Sequence, residues 1–269
     1  MGFRAARAAA VTLRQFYLIR GSLSRVLPLF TWVVLDMVLW GFMTRYLDAV
    51  TAATHRFGVA LLGAVLLWDF LTRVMQGVTM AFFEDVWSRN FLNVFATPLS
   101  IPEYVGGLVL SSIATSAVGL AMMLLVATTA FGLSFAAYGL LLVPYLLVLW
   151  TFGIALGILG SAIVLRLGPA VEWFVWPIPA LVSPFAGVFY PLATLPAWME
   201  VVAHLLPPAY VFESMRAVVE GREASGAALA TGGALSVAYL LAAYAFFTRV
   251  HRYAVRTGLI ARYSAESVS

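Results

Sequence analysis

The sequence predicts an all-α membrane protein. It should have six transmembrane helices, an N-terminal amphipathic interfacial helix, a short amphipathic helix on the cytoplasmic side and re-entrant helices on the outer side between spans five and six. Three observations carry this. Of 269 residues, 63% are hydrophobic and 10% charged, against about 25% charged in an ordinary soluble domain, so too little polar surface is available to face water all round. The apolar runs are long and continuous rather than alternating, which argues against a β-barrel. All 16 basic residues are arginines, gathered mainly at the two ends, the pattern that sets orientation in a membrane. A helical span takes about 20 apolar residues, so residues 1–269 have room for roughly six spans in one transmembrane domain.

Residues 1–25 are too polar to span. Wound as a helix, Arg4, Arg7, Arg14 and Arg25 fall on one face, with Phe3, Leu13, Phe16 and Tyr17 elsewhere. A basic amphipathic helix in the headgroup region fits that pattern; a solvated basic tail is the plainer alternative. Five arginines precede the first apolar run, so no cleavable signal is expected. Six apolar runs follow, near 27–47, 57–80, 104–131, 137–165, 171–191 and 228–249. The N-terminal arginines, with Arg249, Arg252, Arg256 and Arg262 in the tail, put both ends in the cytoplasm, which requires an even number of spans. Arg45, Arg56, Arg216 and Arg222 then lie outside, Arg73 lies within span two, and the other 11 lie inside. The two halves show no repeat, which weighs against an inverted-repeat transporter.

Two connections are long enough to carry mechanism. Residues 81–98 read as a two-faced helix. Phe83, Trp87, Phe91 and Val94 form one stripe, and Asp85, Arg89 and Asn93 form the other, with Asp85 and Arg89 spaced for an i,i+4 ion pair. Pro98 ends it, and Ser100-Ile-Pro-Glu103 is a capping box directly before an apolar run. Such an element either docks a soluble partner or packs on the bundle. The second connection begins inside the fifth run, where Pro177, Pro179, Pro184 and Pro191 interrupt the helix. Irregular backbone at membrane depth survives only within protein or against a wet cavity. Residues 195–206 then read as a short helix stopped by Pro207-Pro208. It either re-enters the membrane from outside or lies on the lipid surface.

Charges inside apolar runs are costly. Asp36 falls within run one, and Asp69 and Arg73 sit at i,i+4 in run two. A structural pair is the plain reading, and an ion- or proton-coupled site is the functional one. Gly153 and Gly157 mark a close-packing helix face. There is no cysteine, the three histidines (His55, His204, His251) are scattered, and no metal or catalytic constellation emerges. Arginines gathered mainly at the two ends speak for membrane orientation rather than nucleic acid. A P-loop requires lysine, which the chain lacks. If ATP drives this protein, ATP and its Mg²⁺ bind a different chain.

With these features assembled, the chain resembles the permease subunits of ABC type-2 exporters over nearly its whole length. The stretch from Glu84 to Ser100, with Asp85, Trp87, Arg89, Asn90, Asn93 and Pro98, resembles the family's cytoplasmic coupling helix. Residues 183–191, 195–198 and 206–216 resemble its signature around span five and the outer re-entrant helices; Pro207-Pro208 stands where many relatives carry Asn-Pro. The resemblance implies a permease without an ATPase site or cofactor of its own. It implies two ABC ATPase subunits as partners, a second permease copy in a homodimer or heterodimer, and a lipid-embedded position in a bacterial plasma (inner) membrane. Such exporters move drugs, polyketides, lipid-linked glycans or teichoic-acid precursors, and no residue here selects among them. Trp173, Phe174, Trp176, Phe185, Phe189 and Tyr190 either line the path or form an interfacial belt. The competing classes are an ion-coupled secondary transporter, which needs a convincing ion site, and a membrane-embedded enzyme, which needs clustered catalytic groups.

Overall fold

The computed structural model describes residues 4–51, 56–133 and 138–259; Phe3, His55 and Arg262 lie outside them. Among the described residues all regular structure is helical. Helix α1 (Ala5–Arg20) turns at Gly21 into α2 (Leu23–Thr51). Then come α3 (Arg56–Trp87), α4 (Phe91–Ala96) and α5 (Ile101–Phe131). A 3₁₀ turn leads into α6 (Leu142–Leu167), and a second 3₁₀ stretch (Pro169–Phe174) precedes α7 (Ile178–Ala186). Helices α8 (Ala197–Ala203), α9 (Pro207–Val219) and α10 (Gly226–Arg256) complete the described chain.

Among the described residues, five stretches are long and apolar enough to cross a membrane: Arg25–Leu47, Ala60–Trp87, Ile101–Phe131, Gly139–Leu167 and Gly226–Arg256. They coincide with the first four and the sixth apolar runs. The fifth run is not one helix. It is a 3₁₀ stretch to Phe174, a turn over 175–177 and the nine-residue α7. Pro177 and Pro179 explain the break, because proline disfavours helical backbone in the residue before it and supplies no N–H. At the start of α7 that missing N–H costs nothing.

Helices α3 and α6 form the buried centre. α6 packs along α3, α3 along α5, α10 along α6, and α2 leans on α5. Between lipid-facing helices close fit replaces the hydrophobic effect as the force for packing, and the Gly153/Gly157 face supplies it. A Cβ on Gly153 would lie 2.9 Å from the Leu71 carbonyl oxygen, and one on Gly157 would lie 2.8 Å from that of Met75. The small face of α6 therefore rests on the backbone of α3.

Pro207-Pro208 does more than stop the preceding helix. Proline at the first helical positions is preorganised for helix, and here it starts α9, which the sequence reading did not separate. Val211, Phe212 and Met215 of α9 are fully buried. Its Ser214 hydroxyl meets the Tyr145 hydroxyl at 3.0 Å, and Phe212 packs 6.2 Å from the Trp68 ring. At the arginine-rich end, α1 buries Ala8, Val11 and Gln15. A Cβ on Gly107 of α5 would lie 2.5 Å from Val11, so α1 nests on α5 while Leu13, Phe16 and Tyr17 face outward. Arg25 is not on this helix; it begins the membrane stretch of α2.

Candidate functional site

Two places bring the charged residues together: an elbow at the arginine-rich end, and a cavity above it. The elbow departs from the sequence reading. Residues 81–98 do not form one helix. α3 runs on to Trp87, the chain turns through 88–90, and α4 begins at Phe91. Arg89 adopts φ 54, a left-handed conformation uncommon outside glycine. That turn breaks the helical register, so Asp85, Arg89 and Asn93 share no face. Asp85 is 1% exposed, and its carboxylate accepts from the Arg14 guanidinium and from the Tyr104 hydroxyl, the latter at 2.7 Å. A buried carboxylate persists only when paired and hydrogen-bonded, and α1 and α5 supply both partners.

Neighbouring carboxylates extend the clamp. The expected capping box forms: Glu103 accepts the Ser100 N–H at 2.8 Å. It also accepts the Arg4 N–H at 2.9 Å and lies 3.5 Å from Arg7. Arg7 donates to the Pro98 carbonyl as well. Glu84 pairs with Arg25 at 2.9 Å. Of the expected apolar stripe, Phe83 and Phe91 are buried, while Trp87 is half-exposed and donates its indole N–H to Glu172 at 2.8 Å. Helix α4 is seated by aromatic contacts: Phe91 with Phe82 at 5.6 Å, and Phe95 with Tyr104 at 5.1 Å and with His251 of α10 at 4.6 Å. Ser88, Arg89, Asn93, Thr97 and Pro98 remain exposed, and Asn93 donates to the Asn90 side chain at 3.0 Å.

In the cavity, the i,i+4 reading of Asp69 and Arg73 holds, at 3.9 Å. Asp36 joins from α2, also 3.9 Å from the Arg73 guanidinium. A Cβ on Gly119 would lie 3.1 Å from Arg73 Cδ, so this glycine leaves room for the arginine arm. The three charges line a cavity of about 720 Å³ bounded by α1, α2, α3, α5 and the turn at Trp176. The aromatic set of the fifth run does not form one wall. Trp176 lines this cavity and packs 6.2 Å from Phe83. Trp173 and Phe174 are exposed. Phe185 meets Trp198 at 6.2 Å, Phe189 stacks on Trp40 of α2 at 5.3 Å, and Tyr190 donates to the Pro184 carbonyl at 2.7 Å. Beyond them Glu213 accepts the Leu192 N–H at 2.9 Å and Arg216 at 3.0 Å, latching α9 to the loop before α8.

A family model described as ABC-2 type transporter matches residues 10–219, from α1 through α9. This chain belongs to the ABC-2 type transporter family. No curated relative matches it. The ABC-2 chain is thus a multi-pass membrane permease subunit of a family that works with an ABC ATPase. Several residues that organise this ABC-2 elbow, namely Arg14, Arg25, Glu103 and Tyr104, carry no mutual spacing signal. Arg14 lies 71 positions from Asp85. The one hint in the sequence was acidic residues at helix ends in a chain whose arginines crowd the N-terminus.

Proposed function

We propose that this chain is the membrane-spanning subunit of an ATP-driven exporter of amphipathic, drug-like, lipid-like or glycan substrates. Two separate ABC ATPase subunits, carrying ATP and Mg²⁺, dock on residues 84–100 of two permease copies. The membrane is a bacterial plasma membrane, crossed six times, with both termini in the cytoplasm.

The elbow carries this reading. Its tip, Ser88, Arg89 and Asn93, is exposed, while its base is tied to α1, α3, α5 and α10 by buried charge pairs and packed rings. A push on the tip is therefore delivered to four helices together. The broken fifth run is compatible with a sixth crossing. At about 2.0 Å per residue in 3₁₀ and about 1.5 Å in α-helix, the two helical pieces within residues 169–186 reach about 25 Å, with the turn over 175–177 between them, against a hydrocarbon core of about 30 Å. Contacts support that path, because Glu172 meets Trp87 at one end and Phe189 meets Trp40 at the other. The second copy packs against α2, whose Leu35, Leu39, Phe42 and Tyr46 face outward.

Co-purification of the tagged chain with its ABC ATPase tests the proposal. Arg89→Glu combined with Asn93→Glu should release the ATPase while the permease keeps its thermal stability. If the double variant still retains the ATPase and stimulates hydrolysis normally, docking lies elsewhere, with α1 the next candidate.

A further inference from the structure

We infer that the cavity holding Asp36, Asp69 and Arg73 is a binding site for an organic cation, an amphipathic aromatic amine or iminium. The charge count motivates it. Arg25 and Glu84 at the cavity's lower end pair with each other at 2.9 Å and cancel. Higher up, two carboxylates face one guanidinium among apolar helices, so the triad has room for one further positive charge, which without a ligand one carboxylate meets by holding a proton. Uncompensated charge at that depth is costly.

The contacts are also loose. Both stand at 3.9 Å, beyond the 2.7–3.2 Å typical of an N–H···O bond. Asp69 Oδ2 and Arg73 Nε are buried with no hydrogen bond. Asp36 keeps 45% of its side chain exposed and lines the cavity. Two hydroxyls of the cavity lining are left as acceptors. The Ser111 and Thr115 hydroxyls donate to carbonyls of their own helix, at 2.9 and 3.1 Å, and keep oxygen lone pairs for a ligand's N–H.

The apolar walls fit the same ligand. Trp32 lies one helical turn from Asp36, and Trp87 and Trp176 complete the aromatic lining. Indole faces attract cations, most strongly where water is excluded. A volume of about 720 Å³ accommodates a drug-sized molecule. An anion would meet the surplus carboxylate, and a neutral sugar would leave it unpaired. The cation site names a substrate class for the exporter reading and rests on that reading only for transport; binding stands without it.

Rhodamine 6G, a planar aromatic monocation, is the probe, followed by fluorescence polarisation with the full chain in lipid nanodiscs at neutral pH. Fluorescein, an anion on a related ring system, is the competitor. Saturable rhodamine binding is expected in the unmodified protein. Asp36→Asn and Asp69→Asn should each weaken it by about tenfold or more, the size of a lost charge-assisted contact. Asp36→Glu should retain it, and fluorescein should not compete. Arg73→Gln should tighten binding several-fold, because it removes the competing positive charge; a merely structural triad would not show this gain. Asp36 is half-exposed, so its Asn variant is expected to fold even if the Asp69 variant does not.

Absence of saturable rhodamine binding, equal binding in Asp36→Asn, or equal competition by fluorescein would overturn the site. The first of these is also what a carboxylate pair sharing a proton would produce. In the complex with the ABC ATPase, rhodamine 6G should raise ATP hydrolysis, and the Asp36→Asn variant should abolish that rise. Rhodamine binding by a chain that recruits no ATPase would sink the exporter reading and leave the cation site standing.

Discussion

At Asp85 one carboxylate joins three helices. Its partners Arg14 and Tyr104 come from α1 and α5, so removing it exposes a weakness in all of them. Asp85→Ala should lower stability by about 2–3 kcal/mol. That is less than for a fully buried pair, because nearly a third of the Arg14 side chain meets solvent. Tyr104→Phe removes one hydrogen bond and should cost about 1–2 kcal/mol. The Arg14→Ala/Asp85→Ala double variant should recover part of the loss, since no charge is left unpaired. The exposed Arg222–Glu220 pair gives the contrast: Arg222→Ala should stay within about 0.5 kcal/mol. Unfolding in detergent measures all of these, and a double variant worse than the sum of the singles would refute the pairing.

At the scale of elements, two features set the architecture. The first is the glycine face of α6. Gly157→Leu would drive a side chain into Val78, whose Cβ lies 2.6 Å from the position of an added Cβ, and into the Met75 carbonyl at 2.8 Å. Overpacking of this kind costs about 1–3 kcal/mol or more, so a clear drop in melting temperature is expected. Gly226→Ala, at the open start of α10 with nothing nearby, should be neutral. The second feature is the reversal between α3 and α4. Arg89 holds φ 54, which asparagine tolerates and β-branched residues do not. Arg89→Val should therefore destabilise the elbow by about 1–2 kcal/mol, while Arg89→Asn leaves melting unchanged. Equal melting for the two variants would mean that the turn relaxes freely.

At the scale of the whole molecule, topology and association are open to direct labelling, because the chain contains no cysteine. On the proposed topology, with both termini in the cytoplasm, Ser88→Cys lies inside and Glu200→Cys outside. A membrane-impermeant maleimide should label Glu200→Cys on intact cells and Ser88→Cys only after lysis. The reverse pattern would invert the protein and remove the elbow from reach of an ATPase. Association is tested by Leu39→Cys on the outward face of α2, 59% exposed. It should form a crosslink between two copies, and Leu241→Cys on α10 should not. Crosslinking through α10 alone would move the interface to the other side of the bundle.

Much of this protein follows from its sequence alone. Continuous apolar runs specify membrane helices because backbone groups in lipid must be satisfied within each segment. Among the described residues, five of the six expected runs are helices long and apolar enough to cross a membrane. Local signals were equally legible: the Ser100–Glu103 cap, the Asp69–Arg73 spacing and the glycine face of α6 each depend on residues within a turn or two of one another. What the sequence could not show is which distant groups meet. Asp85 looked like one half of an exposed pair with Arg89, four positions away. The structure turns the chain at Arg89 and hands Asp85 to Arg14 and Tyr104 instead. Likewise Asp36 reaches Arg73 from another helix, and the aromatics of the fifth run scatter once Pro177 breaks the helix that would have aligned them. The physical reason is the same in each case. Periodicity encodes the face of a single helix, whereas a buried charge takes its partner from whichever helix packing brings within reach.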